Sequence, residues 1–157
     1  MIFVTVGQAR DFSRLVKKID EIGERIKEEI IIQQGQTKYV PKNCKHFEFV
    51  SRDDFLKYVK KSRIIITHAG VGSIITALNC GKPTIVVPRR KKYNEHRNDH
   101  QMDIAREFNR TGRVSVCYDV NNLEKRIRKI KKQGVFKKQN ELEIGKKLEN
   151  FIESVMR

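Results

Sequence analysis

The stretch Ile64-Ile65-Ile66-Thr67-His68-Ala69-Gly70-Val71-Gly72-Ser73 decides the fold. Its β-branched residues run straight into a loop of small residues, and an apolar helix pattern over 73–79 follows at once. A strand that stops in such a loop and turns directly into a helix leaves free backbone N–H groups at the positive helix end. That arrangement suits a phosphate or diphosphate. Gly70 and Gly72 let the backbone approach a ligand closely and take positive φ. Ser73 either caps the helix or donates to a phosphate; the bland reading of the loop is a plain turn with a cap. The spacing is neither Gly-x-Gly-x-x-Gly nor a Walker A loop, because no Gly-Lys-Ser/Thr follows. Hydride transfer and P-loop ATP hydrolysis lose support.

Outward from this stretch, strand and helix alternate. Apolar runs predict strands over 2–6, 29–33, 46–50, 64–67, 84–87 and 114–117. Phe12, Leu15, Val16, Ile19, Ile22 and Ile26 recur at helical spacing and predict a helix over 11–27. Ser51-Arg52-Asp53-Asp54 resembles a capping box with Asp in place of Glu and opens the next helix. Gly81 stands where a left-handed C-terminal cap is expected, and Pro88 ends the fifth strand. Further helices are expected over 99–108, 121–133 and 140–156, with Gly134 as a break. The alternation predicts right-handed βαβ units in one α/β domain. Its six-stranded, mostly parallel sheet carries helices on both faces. Ligands of such sheets bind outside the carboxyl ends of the strands, where residues 7–9, 68–73 and 88–101 should converge.

The chain has 157 residues, with 34 Lys and Arg against 19 Asp and Glu, a formal charge of +15. Such a field attracts polyanions: nucleotides, nucleic acid or an anionic membrane surface. The excess is concentrated in Arg89-Arg90-Lys91-Lys92, a loop near the expected site, and over 125–138, which reads as a solvated helix face. No apolar run reaches the length of a membrane span. The first residues, Met-Ile-Phe-Val-Thr-Val-Gly, read as a strand and not as a signal peptide. Cys44, Cys80 and Cys117 are far apart without a Cys-x-x-Cys pair. They are expected as small buried side chains in a reducing cytoplasm, not as zinc ligands or disulfides.

Glu95-His96-Arg97-Asn98-Asp99-His100-Gln101 places seven hydrogen-bonding side chains at a loop-to-helix junction, a composition that can read sugar hydroxyls. Asp99 is either the N-cap of that helix or a ligand contact. His96 and His100 are four apart but lack a third metal ligand, so hydrogen bonding is preferred to metal binding. His46 reads as structural. No Asp-x-Asp occurs. A leaving diphosphate would have to be stabilised by the helix N-terminus and basic side chains instead of a clamped divalent ion.

Taken in order, Phe3 to Gly7, Ile66 to Ser73, Gly81 to Arg89 and Glu95 to Gln101 resemble the C-terminal, donor-binding half of glycosyltransferase family 28. The similarity covers about residues 1–120. It is to stand-alone members such as the catalytic subunit of the two-part dolichol-pathway UDP-GlcNAc transferase and exopolysaccharide subunits like it. The resemblance implies the Rossmann-like half of a GT-B enzyme split over two chains. It implies a UDP-sugar donor, a membrane-anchored acceptor-binding partner, a lipid-linked sugar acceptor and inverting transfer with no metal or other cofactor. The chain would act in the cytoplasm, peripheral to the membrane, and self-associate when isolated.

Residue by residue, the resemblance places Gly70, Val71, Gly72 and Ser73 at the diphosphate, flanked by His68 and Ala69. Gln101, with His100, would touch the donor sugar. Gly7 and Gln8 would shape the cleft edge. Arg89, Glu95, His96, Asn98 and Asp99 would border the cleft or the partner. Two positions depart from the pattern. Thr76 stands where the family has a ribose-binding Glu, and Gln8 where it has Thr. Thr can make one hydrogen bond to a ribose but cannot accept two as a carboxylate does. Candidates for the catalytic base are His68, His96 and His100, unless the partner supplies it. The final helix, with Leu148, Ile152 and Val155, packs on the core by default; docking to the partner is the second reading.

Two other classes stay open. A non-catalytic scaffold that has lost nucleotide binding fits Thr76. A basic nucleic-acid-binding domain fits the charge, although the eight Phe and four Tyr are not interleaved with the basic runs as stacking platforms would be.

Overall fold

A computed structural model describes residues 1–130 together with 150, 153 and 154. Its six strands are β1 (Ile2–Thr5), β2 (Ile30–Gln33), β3 (Lys45–Phe47), β4 (Ile64–His68), β5 (Thr84–Val87) and β6 (Ser115–Val116). They form one sheet in the order β3-β2-β1-β4-β5-β6, and every neighbouring pair is parallel. The helices are α1 (Ser13–Arg25), α2 (Arg52–Lys61), α3 (Val71–Asn79), α4 (His100–Arg110) and α5 (Leu123–Lys129). The chain winds outward from β1 in one direction and from β4 in the other. The β1/β4 boundary is therefore the topological switch point of a Rossmann-like sheet.

Period-two alternation along fully buried strands assigns each side chain to a layer. Ile2, Val4, Ile30, Ile32, Ile64, Ile66, Ile85 and Val87 face α1 and α5, meeting Leu15, Val16, Ile19, Ile22, Leu123 and Ile127. The intervening residues face the other way. Phe3, Ile31 and Ile65 meet Val59 of α2 and Ala77 of α3, while Val86 and Val116 meet Ile74 of α3 and Ile104, Ala105 and Phe108 of α4. Each buried Ile or Phe contributes about 1.5–3 kcal/mol. A one-residue slip of any strand would exchange its two faces, so the register is set by burial.

The crossover from β2 to β3 has no helix. Residues 34–44 are held instead by Asp11, which accepts from Lys38 N at 3.0 Å, and by a buried carboxylate on α1. Asp20, 2% exposed, accepts from the backbone N–H of Lys42 (2.9 Å) and Asn43 (2.7 Å) and from the Tyr39 hydroxyl (2.9 Å).

Element ends follow local chemistry. The Ser51 hydroxyl accepts from Asp54 N at 3.1 Å, so the first half of the expected capping box forms. The Asp54 carboxylate, however, accepts from the Ser51 hydroxyl (2.9 Å) and not from its backbone. Gly81 takes φ +64 after α3, and the N–H groups of Gly81 and Lys82 close the helix on Leu78 and Ala77 carbonyls. The expected third strand, 46–50, is found at Lys45–Phe47, and the sixth, 114–117, at Ser115–Val116. Helix α3 begins at Val71, two residues before its expected start at Ser73. Helix α5 follows a 3-10 turn, Val120–Asn122, and is described to Lys129. Gly134 and most of the expected last helix lie outside the described residues; 150, 153 and 154 are helical. Among the described residues, no helix is long and apolar enough to cross a membrane.

Candidate functional site

The carboxyl ends of β1 and β4 open on a cleft of about 460 Å³. From the β1 side it is lined by Thr5, Gly7 and Gln8, and from the β4 side by His68, Gly70, Gly72 and Ser73. The remaining wall comes from Gln33 of β2 and from Val50, Arg52 and Phe55 where α2 begins. The Thr5 hydroxyl donates to Gln33 Oε1 at 2.7 Å, tying β1 to β2 in that wall.

Helix α3 points its N-terminus at this cleft. Gly70 is its N-cap, with φ −81 and ψ 122, and no side chain caps the first turn. The N–H groups of Val71, Gly72 and Ser73 therefore begin the helix without a side-chain acceptor, at the positive end of its dipole. The expected positive φ is absent at Gly70. It occurs instead at Gly7, Gly35, Gly81 and Gly112. Ordinary helix entry satisfies the backbone at Gly70, and Gly72 lies inside the first turn. The space over Gly72 is open, since a Cβ there would meet nothing within 4 Å. The Thr76 hydroxyl donates to Gly72 O at 2.8 Å. Its proton is thus engaged, which leaves the hydroxyl able to act toward any further group as an acceptor only.

His68 explains the other two glycines. A Cβ at Gly7 would lie 2.8 Å from His68 Cε1 and Nε2, and one at Gly70 would lie 2.7 Å from Cε1 and closer still to Nε2. Gly7 holds φ +78 as well. Both loops therefore close over one imidazole that leaves no room for a side chain. Burial, reinforced by the charge of Arg89, pushes the His68 pKa down to about 4 against a hydrogen bond with the Thr5 backbone. The ring is neutral at physiological pH.

Arg89 and Glu95, 3% and 5% exposed, are engaged within the protein. The Arg89 guanidinium donates to the carbonyls of Val6 (2.6 Å), Arg10 (2.9 Å), Asp11 (3.3 Å) and Glu95 (3.3 Å). It lies 4.9 Å from the centre of the Phe12 ring. Burial draws its pKa down to about 10, opposed by Glu95 and Asp11. The Glu95 carboxylate accepts from Arg14 Nε (2.6 Å) and Nη2 (2.9 Å) and from Arg90 N (3.0 Å). Arg89 and Glu95 thus fasten the β5–α4 loop to the β1–α1 loop.

Gln101 completes the frame, its Oε1 accepting from Ala69 N (3.2 Å) and Arg89 N (3.0 Å) across the ends of β4 and β5. A smaller cavity of about 120 Å³ adjoins, lined by Gly7, Gln8, His68, Arg89, His96 and Gln101 among others. Asn98 Oδ1 meets His96 Nδ1 at 2.8 Å and accepts from His100 N at 3.3 Å. The second bond fixes that atom as oxygen, and Asn98 N also approaches His96 Nδ1 at 3.5 Å, so Asn98 holds the imidazole through Nδ1. His100 and Asp99 are exposed. Asp99 occupies the N-cap position of α4 without a capping bond from its side chain. Its carboxylate accepts instead from Lys91 N at 2.9 Å.

Segments 7–9 and 68–73 therefore meet at the large cleft, and 88–101 joins them through the smaller cavity. The motif reading missed Thr5, Gln33, Val50, Arg52 and Phe55. Their signal was topological: β2 pairs with β1 and β3 with β2, and both parallel strands bring their own carboxyl ends to the same edge.

The family described as the glycosyltransferase family 28 C-terminal domain matches residues 1–155. Among curated proteins, the UDP-N-acetylglucosamine transferase subunit ALG13 of Homo sapiens is 28% identical over 130 residues, 74% of this chain and 11% of that protein. ALG13 of Cryptococcus neoformans var. neoformans serotype D (strain JEC21) is 38% identical over 77 residues, 48% of this chain and 36% of that protein. The chain spans about a tenth of the length of the human and mouse relatives. Among solved structures, a solution structure of ALG13 superposes with a TM-score of 0.56 at 24% identity, covering 81% of this chain and 83% of that one. MurG of Acinetobacter baumannii superposes with 0.55 at 16% identity, covering 80% and 40%. These likenesses show the same fold, the Rossmann-like half of GT-B glycosyltransferases. The chain belongs to the glycosyltransferase family 28 C-terminal domain family.

Proposed function

We propose that this chain is the donor-binding, catalytic subunit of an inverting UDP-sugar glycosyltransferase. One observation carries the reading: an uncapped helix N-terminus, Gly70 to Ser73, opens with clear space over Gly72 onto a cleft at the switch point of a parallel sheet. The donor diphosphate sits against the N–H groups of Val71, Gly72 and Ser73. These and the helix dipole stabilise the charge that develops as UDP leaves, without a metal ion or other cofactor. Thr76 accepts one ribose hydroxyl. Gln101, with His100, contacts the sugar, and the 120 Å³ cavity beside it holds that sugar's face. His96, held by Asn98 in the wall of that cavity, is the best placed of the three histidines to take the acceptor proton. His68 is the weaker base, with its pKa near 4.

The relatives' name as subunits of a UDP-N-acetylglucosamine transferase supports a UDP-GlcNAc donor and a partner chain. In this reading the partner is membrane-anchored and presents a lipid-linked sugar. The chain, with its +15 charge, works at the cytoplasmic membrane face.

Calorimetric titration of the purified chain with UDP, against TDP, GDP and a short RNA at near-physiological salt, tests the reading. Saturable UDP binding that is lost in Gly72→Asp is expected. Failure of UDP to bind, or RNA binding unaffected by the substitution, would overturn it in favour of the scaffold or of the nucleic-acid reader.

A further inference from the structure

A second cavity on the carboxyl edge of the sheet is not used by the donor site. It measures about 580 Å³ and is walled by Arg90, Lys92 and Tyr93 of the β5–α4 loop, by Tyr118 and Asn121 after β6, and by Arg14 of α1. The cations in and around it are not alike. Arg14 is neutralised by Glu95, and Arg89 is sunk in backbone carbonyls. Arg90, by contrast, has its Nε shielded from water with no acceptor among the described residues, a state it shares with Arg126 Nε, which does not line this cavity. A buried donor left without an acceptor is costly, and native structures rarely tolerate one without a role for it.

Beside it, the Tyr93 ring is flanked by Lys92 Nζ at 4.7 Å and Arg14 Cζ at 4.6 Å. Tyr93 and Tyr118 are 49% and 38% exposed, an unusual outlay of aromatic surface for a single loop pair. Asp119 is the one carboxylate in the wall, and its Oδ1 is engaged by Asn121 N at 2.9 Å.

We propose that this cavity is a phosphate-binding site distinct from the N-terminus of α3. The Arg90 fork takes two oxygens of a phosphate or diphosphate group, Lys92 adds a point charge, and the tyrosine hydroxyls donate from the rim. The phosphate belongs either to a soluble phosphate ester or to a lipid headgroup. A nucleic-acid strand fits less well, because two tyrosines around one pocket do not form a track for successive bases.

The test uses the full chain carrying Gly72→Asp, so that the donor cleft does not contribute and a failure of UDP binding leaves the result intact. Inorganic pyrophosphate is titrated calorimetrically at near-physiological salt. Phosphatidic-acid vesicles are compared with neutral phosphatidylcholine vesicles by co-sedimentation. Saturable binding is expected to weaken about 10-fold or more when Arg90→Gln and Lys92→Gln are added, and less with Arg90→Lys, which keeps the charge and loses the fork. Pyrophosphate binding assigns a soluble ester, and headgroup-dependent sedimentation alone assigns a lipid. The proposal is overturned if neither probe binds. It is overturned equally if Lys125→Gln with Lys129→Gln on the exposed face of α5 weakens binding as much as the Arg90 and Lys92 changes do. Thermal unfolding of each variant confirms that the fold is intact.

Discussion

Substituting Gly72 and Gly70 separately by Ala should move stability in opposite directions, although the two glycines are two residues apart in one loop. At Gly72 a methyl group meets nothing within 4 Å. The residue lies in the first turn of α3. Replacing Gly by Ala in a helix stabilises by up to about 1 kcal/mol, less at a terminus. At Gly70 the methyl would press into His68 Nε2 and Cε1, and Gly7 closes on the same two atoms, with only 2.8 Å between them and the place its own Cβ would take. Forcing a methyl into such a seat costs about 1–3 kcal/mol. Urea unfolding at pH 7.5 reads both changes. UDP titration of the Gly72→Ala protein then isolates the ligand's use of that space. A variant as stable as the parent, or more so, should bind UDP about 10-fold more weakly or worse, because the methyl stands where the diphosphate approaches the N–H groups. Unchanged UDP affinity in Gly72→Ala would refute the placement of the diphosphate at the α3 N-terminus. A Gly70→Ala protein as stable as the parent would refute the account of the His68 seat.

Acid titration should expose His68. The native ring has a pKa near 4 in place of the usual 6.5. Between those values the unfolded chain holds a proton that the native chain lacks, so stability falls as pH drops through that window. The total loss is up to about 3 kcal/mol, and His68→Gln should flatten this part of a pH series of urea midpoints. Asp20→Ala removes the acceptor of Lys42 N, Asn43 N and Tyr39 Oη. It should destabilise by about 3 kcal/mol in the same unfolding assay. Burial pushes the Asp20 carboxyl up, but hydrogen bonds from Lys42, Asn43 and Tyr39 outweigh it and hold its pKa below the ordinary value. Its contribution is therefore present at neutral pH and lost as pH falls through the native value. Arg89→Lys should destabilise by about 2 kcal/mol, since an ammonium cannot reach four carbonyls spread over two loops. Hydrogen exchange should then rise at residues 7–11 ahead of the sheet.

The four inner strands were legible within a residue or two, because parallel strands buried on both faces are continuous runs of Ile and Val, as at Ile30–Gln33 and Thr84–Val87. The edge strands were less so. Lys45 and His46 of β3 are exposed, and an exposed strand shows no apolar run to mark its ends. At the site, the convergence of residues 7–9, 68–73 and 88–101 on the carboxyl edge could be read from the alternation of strands and helices, while a role for Gln101 came only with the resemblance. Arg89 and Glu95 show what spacing cannot decide. A charged cluster that meets a ligand and one that saturates itself with carbonyls and a neighbouring Arg have the same composition, and only the burial distinguishes them. Thr5, Gln33 and Phe55 carry no motif at all and reach the cleft through sheet order.

The double acceptance at Gln101 gives the pocket a fixed polarity. A terminal amide ordinarily can turn over and exchange its oxygen for its nitrogen, so that it greets a visitor as acceptor or donor. Here turning over would set the NH2 group against the Ala69 and Arg89 N–H groups, which already converge on Oε1. The side chain is therefore held one way round, and the amide has N–H left to offer a ligand while its C=O is taken. A hydroxyl that bonds to this amide must arrive lone pair first. The backbone ends of two neighbouring strands thereby dictate the direction of a hydrogen bond that neither of them makes.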